Sequence, residues 1–323
     1  MIFLNNTKQN IIKAKSEHSK IVTKYLKTYK LNKNTHIIKF IKSNIDLLIN
    51  GTPEELYLLN ESFYNTIRHY SYSDYLIYLN APKNGGTVNQ IAIKKKYSKL
   101  HKRMEKIINY STWFIKSDKH YDYALAERLN IPSCTYCNRI YTNTMKTESG
   151  KKVMRPQFDH WFPKSKFPLL ALSFYNLIPS CSVCNSSAKS DTIFYIDTHL
   201  HPYVDSDVSD RFSFSYDHFK SLDKYNIKIS HKYGDTKAYK TFLDMNLATM
   251  FNAHTSELQD LIITKKAYSK SYILNMINAY PKANLSYDEV YRLAFGTEFK
   301  EEDFHKRPFS KFKKDILTEL KLI

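Results

Sequence analysis

The sequence predicts an α+β protein, mainly helical, with a compact ββα unit near its middle. Three observations predict it. Apolar residues recur at helical spacing from Thr7 to Asn130 and again from Lys237 onward. All four cysteines fall within residues 134–190, as two CxxC pairs. Within that same stretch, short β-rich runs alternate with polar turn residues.

Residues 1–130 are expected to form a helical N-terminal region. Ile11, Ile12, Ile21, Val22, Tyr25 and Leu26 recur between lysines at roughly helical spacing. Thr52-Pro53-Glu54-Glu55 has the form of a capping box with proline at the first helical position, so a helix should start there. Breakers at Asn50-Gly51, at 81–86 and at Ile131-Pro132-Ser133 divide the region into four to six helices, with a boundary near Pro132. The run Lys94, Lys95, Lys96, Lys99, Lys102 and Arg103 reads either as a phosphate-tracking face or as a solvated helix face.

Residues 131–203 are expected to hold the ββα unit. Ile140 to Thr144 and Val153 to Phe158 have strand-like composition around a polar turn at Glu148 to Lys152. Leu177 to Ser180 is a further strand, and a short helix begins near Cys181. Residues 204–323 follow as a C-terminal region. Its hairpin pairs Phe212 to Tyr216 with Tyr225 to Ser230. Helices run from Lys237 through Tyr280, with Phe242, Met245, Leu247, Met250, Phe251, Leu258, Leu261 and Ile262 at helical spacing, until Pro281. Two more helices cover Tyr287 to Phe295 and Phe309 to Leu322. There is no internal repeat.

Charge narrows the class of partner. Lys and Arg number 49 against 31 Asp and Glu in 323 residues, a formal charge of +18, which points to a polyanion. No apolar run reaches the roughly eighteen residues a spanning helix requires, and Ile2 to Leu4 is too short for a signal peptide. The expected location is the cytoplasm, with no membrane contact. The Lys, Asn, Ile and Tyr richness, with only 6 glycines, resembles the bias of an AT-rich genome, so the tyrosine count is not taken as a binding signal.

In a reducing compartment, two CxxC pairs indicate a metal site rather than disulfides. Cys134 and Cys137 form one knuckle and Cys181 and Cys184 another. Each bends so that both thiolates face one ion, and together they complete a closed tetrahedral zinc site. A redox dithiol would explain only one of the pairs.

Between and beside the knuckles lie Asp159, His160, Asn176 and Asn185. Phosphodiester hydrolysis needs a base for water, a hard cation to absorb charge, and rigid positioning of both. A carboxylate beside an imidazole at a strand end can supply the first two. Adjacent strand residues face opposite ways, so Asp159 and His160 converge only if the strand stops there.

The pattern CTYC, then DHWFPKS, then NLIPSCSVCN resembles an HNH endonuclease of the His-Me finger superfamily over residues 134–190. The resemblance implies a zinc-stapled ββα nuclease core, with His160 as general base and Asp159 and Asn185 as ligands of the catalytic metal. Asn176 would steady the loop. An amide oxygen in the last position favours Mg²⁺ or Mn²⁺ over a second zinc. Double-stranded DNA is the expected substrate, with Lys164 and Lys189 near enough in sequence to meet flanking phosphates. A single such site cuts one strand per event, so double-strand breaks require a homo-oligomer or sequential nicks.

Family members with a CxYC knuckle and helical flanks occur in anti-phage defence, in Septu-like and retron-associated systems, where some work beside an ATPase. This chain carries no P-loop, so nucleotide control would come from a partner subunit. Restriction and mobile-element nucleases are the alternatives within the enzyme class, and a catalytically inert zinc-dependent DNA-binding scaffold is the alternative outside it. His199, His201 and Tyr203 either approach the site's mouth or brace a loop around Pro202. His305, Lys306, Arg307, Lys311, Lys313 and Lys314 form a second basic run, facing DNA, a partner or solvent.

Overall fold

A computed structural model describes residues 1–28, 36–219, 221, 224–268, 271–279 and 281–323. The chain is α+β, 56% helical with small antiparallel sheets. Before residue 130 seven α-helices are described, more than the four to six expected: α1 (Gln9–Thr28), α2 (His36–Ser43), α3 (Ile45–Asn50), α4 (Pro53–Thr66), α5 (Tyr72–Asn80), α6 (Val88–Ile107) and α7 (Tyr121–Leu129). A π-helical turn, Tyr110–Ile115, links the last two. The excess arises because the chain breaks at Asn44 as well as at Gly51.

Local chemistry starts these helices where the sequence indicates. Thr52 caps α4 in a reciprocal capping box with Glu55, and Thr87 caps α6 in the same way with Gln90. On α1 the buried residues Ile11, Ala14, His18, Val22 and Leu26 recur every three or four positions and face the core. On α6, Ile93, Tyr97, Leu100, His101, Met104 and Ile107 are buried. Its opposite face exposes Lys95, Lys99, Lys102, Arg103 and Lys106. Tyrosines fill the space beneath: Tyr64 stacks on Tyr75 at 3.9 Å and donates its hydroxyl to His101 Nε2 at 2.7 Å, since His101 Nδ1 faces the Ser165 carbonyl.

The central sheets are smaller than expected. β1 (Met145–Lys146) pairs with β2 (Lys152–Met154) across the expected turn, and β3 (Gln157–His160) pairs antiparallel with β4 (Leu177–Ser180). The β4 range is as predicted. Ile140 to Thr144 is not a strand; Cys134 N donates to Ile140 O at 3.0 Å, and the segment is spent closing the first knuckle. The expected strand Val153 to Phe158 is split at Pro156, which has no N–H to continue a ladder.

Beyond residue 203, β5 (Phe212–Phe219) pairs with β6 (Lys224–His231), a longer hairpin than predicted. Then come α8 (Thr236–Asp244), α9 (Leu247–Asn252), α10 (Thr255–Ala267), α11 (Tyr272–Ala279), α12 (Tyr287–Phe295) and α13 (Ser310–Glu319). Tyr280, where the expected helical stretch ended, lies outside the described residues. α13 lies on β5 and is shorter than expected at both ends. Buried apolar residues from Met1 to Leu322 form one continuous cluster. No helix among the described residues is long and apolar enough to cross a membrane.

Candidate metal centre and adjoining cavity

Cys134, Cys137, Cys181 and Cys184 are all buried, and their sulfurs lie within 4.8 Å of one another. A tetrahedral site with metal–sulfur bonds of about 2.3 Å has edges of about 3.8 Å; Cys137 Sγ and Cys181 Sγ are 4.0 Å apart. Backbone amides point at the sulfurs: Cys181 N donates to Cys134 Sγ at 3.2 Å and Arg139 N to Cys137 Sγ at 3.4 Å. This donor set could hold a structural metal such as zinc. Asn138, in the left-handed region at φ 50, completes the first knuckle. Its side-chain Nδ2 donates to Phe304 O and Arg307 O, both at 3.0 Å, and its carbonyl accepts from Phe309 N at 2.6 Å.

β4 leads into the second knuckle, and β3, paired with it, carries Asp159 and His160 to a cavity of about 440 Å³. Asp159, His160, Lys164 and Asn185 all line it. The strand ends at His160 and the chain turns, which is how neighbours of opposite facing reach one cavity. His160 Nε2 lies 3.0 Å from Ala171 O. A carbonyl only accepts, so Nε2 carries the proton and Nδ1 keeps the lone pair. Burial lowers the His160 pKa to about 3, opposed by the Ala171 hydrogen bond, so the ring is neutral near pH 7.

Asn176 does not line the cavity. It is buried behind it, accepting from Phe162 N at 2.6 Å and donating to Phe162 O at 3.2 Å and Leu170 O at 2.9 Å. These three bonds close the loop between β3 and β4 on itself and fix the backbone that leaves His160. Asn185 sits on a π-helical turn, Val183–Lys189, directly after Cys184. Its Nδ2 donates to Gln157 Oε1 at 2.6 Å, which leaves its amide oxygen as the remaining donor atom for a cation. Gln157 and Asp159 share a face of β3, so this bond sets Asn185 beside Asp159.

Asp159 is itself held from two sides. Tyr136, from the first knuckle, donates its hydroxyl to Oδ2 at 2.7 Å, and Lys189 Nζ approaches the same oxygen at 3.3 Å. Burial and the Asp159 charge push the Tyr136 phenol well above its ordinary range, so the hydroxyl remains a donor. Lys189 corrects the expectation of a flanking-phosphate contact: its side chain is 0% exposed, with Nζ bound to His160 O at 2.8 Å. Lys164 is exposed at the cavity rim.

Two further expectations resolve as packing. His199 and His201 are buried and line no part of this cavity. His199 Nε2 meets Asp244 Oδ2 at 3.0 Å, while the loop accepts Trp161 Nε1 on Leu200 O at 3.2 Å and so braces the turn after His160. The C-terminal basic run is neutralised internally: Lys313 pairs with Glu257, Lys314 with Glu301, Arg307 with Glu298 and Lys311 with Asp315.

Residues absent from the sequence reading also meet here. Arg155 lines the cavity with its Nε bound to Asp122, and the ring of Tyr110 stands edge-on to His160 at 4.4 Å. Gln157 could have been found from its two-residue spacing to Asp159, and Tyr136 from its place inside CxxC. Arg155 and Tyr110 left no local signal.

No family model matches the chain, and no solved structure matches it significantly. Protein ea31 of Escherichia phage lambda is 29% identical over 116 residues, which cover 33% of this chain and 37% of ea31. The match spans about a third of that relative's length.

Proposed function

We propose that the chain is a metal-dependent HNH endonuclease that hydrolyses DNA phosphodiester bonds at the cavity beside the cysteine cluster. The observation that carries this reading is the state of His160. Its Nε2 is committed to Ala171 O, its ring is neutral, and it shares a cavity with Asp159 and Asn185. In this reading the ββα core is a His-Me finger built on β3, β4 and the π-helical turn.

Asp159 and Asn185 offer oxygen donors, the chemistry that suits Mg²⁺ or Mn²⁺. When bound, such an ion supplies charge neutralisation at the phosphodiester. The chain's own residues do the rest. His160 Nδ1 takes a proton from water as the water oxygen attacks phosphorus and the P–O3′ bond breaks; the departing 3′ oxygen takes a proton from solvent, leaving 5′-phosphate and 3′-hydroxyl ends. Asn176 holds the loop behind the base. Lys164, exposed at the rim, meets a flanking phosphate, and the Arg155 guanidinium lies in the same cavity for a non-bridging oxygen. In keeping with the sequence resemblance, we assign the activity to cytoplasmic anti-phage defence, with any nucleotide control supplied by a partner ATPase.

One observation favours a second reading, an inert zinc-dependent DNA-binding scaffold. Lys189 already compensates the Asp159 charge from inside the fold. Supercoiled plasmid with purified protein in Mg²⁺, Mn²⁺ or no added divalent ion separates the two. Metal-dependent nicking that His160→Ala abolishes supports the enzyme. Salt-sensitive retention of plasmid with no cleavage by either protein supports the scaffold.

A further inference from the structure

The cavity at His160 does not end at its rim. It shares Tyr110 and Lys164 with a second groove of about 450 Å³, which is also lined by Lys102 and Lys106. Those two lysines in turn line a third groove of about 480 Å³, together with Lys95, Ser98, Lys99 and Arg103. The three neighbour one another through these shared residues, from the candidate active site to the outer face of α6, and are taken together as one trough.

Several cations near this face or in the other basic run are already engaged within the fold. Lys94 is taken up by the carbonyls of Pro82 and Lys83, and Lys96 by Asp74. The C-terminal basic run is paired residue by residue with carboxylates. Among the described residues, Lys95, Lys99, Lys102, Arg103 and Lys106 have no carboxylate within ion-pair distance, and all five are exposed. The one acidic side chain lining this part of the trough is Glu105. Five uncompensated cations on one face are costly through mutual repulsion unless an anion meets them.

Their spacing selects the anion. Lys95, Lys99, Lys102 and Lys106 recur at i, i+4, i+7 and i+11, a straight row about 16 Å long. That is the axial span of roughly five phosphates of one duplex strand. The α6 section contains no aromatic ring, whereas single strands are held by rings on which bases stack. We propose that this trough seats the sugar–phosphate backbone of duplex DNA and leads one strand past Lys164 to His160. The proposal rests on the nuclease reading for the identity of the site and adds the substrate's path to it.

Binding, not cleavage, tests it. A mixed-sequence DNA duplex of about 20 base pairs is titrated by fluorescence anisotropy against the full-length His160→Ala protein, without chelator so that any zinc is retained. The same background then carries Lys99→Gln, Lys102→Gln and Lys106→Gln together. A control carries Lys24→Gln, Lys39→Gln and Lys42→Gln, which are exposed and line no part of the trough. Melting temperature and zinc content establish that all three are folded. The α6 triple is expected to bind at least tenfold more weakly, and its salt dependence to become shallower by about two to three phosphate equivalents. The control should stay within twofold. The path is overturned if the α6 triple binds within twofold of its parent, or if single-stranded DNA or duplex RNA is preferred tenfold over duplex DNA. Plasmid cleavage by the unmutated chain in either of those cases leaves the nuclease reading standing. Failure of the parent to bind duplex DNA, with no cleavage by the unmutated chain, removes both.

Discussion

Tyr136 donates its hydroxyl to Asp159 Oδ2 at 2.7 Å, and Tyr136 stands between the two cysteines of the first knuckle. The residue that orients the candidate metal ligand is therefore held in place by the cysteine cluster. Tyr136→Phe keeps the ring and removes only this bond. The expected result is unchanged zinc content and melting, with a tenfold or greater rise in the Mg²⁺ concentration giving half-maximal cleavage, since losing a hydrogen-bond partner that orients a metal ligand costs about 10–100-fold. A Mg²⁺ titration of plasmid nicking reads this directly; an unchanged half-point would show that Tyr136 does not position Asp159.

Cys181→Ser removes one sulfur from the cluster. Structural zinc contributes on the order of 10 kcal/mol in small domains, so the variant should lose metal and become protease-sensitive within residues 134–190. Atomic absorption and limited proteolysis report this. His160→Ala should keep both its zinc and its protease resistance, because Nε2 makes a single bond to Ala171 O.

Asn176→Ala leaves Phe162 N, Phe162 O and Leu170 O without their side-chain partner in a buried loop. The expected cost is about 2–4 kcal/mol, from roughly 1–3 kcal/mol per orphaned group with partial relaxation. Asn176→Asp should be worse than Ala. A carboxylate still accepts from Phe162 N, but it turns its second oxygen onto two carbonyl oxygens. Urea denaturation of the two variants fixes the order, and a more stable Asp variant would contradict the hydrogen-bond assignment.

Acid should destabilise the fold through histidines buried uncharged. Burial lowers His18 and His101 to about 4 and His201 to about 3, against about 6.5 in the unfolded chain. The unfolded state therefore binds more protons between those values, so stability is full above pH 6.5 and falls as pH drops through the window toward 4. Each of the three should cost roughly 2 kcal/mol between pH 7 and pH 5. Urea midpoints across that range test the sum, to which His160 and His305, lowered by burial to about 3 and about 4, also contribute. His18→Gln, which retains an N–H for Leu172 O, should flatten the slope by one histidine's share.

What could be read from the sequence was mostly local. The Thr52–Glu55 capping box and the limits of α12, where Ser286 and Glu289 cap each other, depend on residues three apart. Leu177 to Ser180 was visible because a short apolar run bounded by Asn176 and Cys181 has few alternatives. The four cysteines and the residues at 159, 160, 176 and 185 carried a recognisable spacing. The contacts that shape the cavity did not, because Arg155 with Asp122 and Tyr110 with His160 join positions far apart in the chain. Charge was the least legible feature. The two basic runs look alike as text; Asp315 stands four residues from Lys311, but only the fold brings Glu257 and Glu301 to that run while leaving α6 unmatched.

The grip of Asn138 on Phe304, Arg307 and Phe309 ties the first knuckle to a segment that the ribosome makes much later. During synthesis, residues 134–190 emerge complete in sequence but without the strap that closes over their first turn. A nascent chain stalled before residue 304 would carry every cysteine and every candidate catalytic group, yet lack the backbone partners that hold Asn138 in its left-handed turn. Translation itself then sets the moment at which the first knuckle closes, because its last backbone partner, Phe309, is among the final residues added.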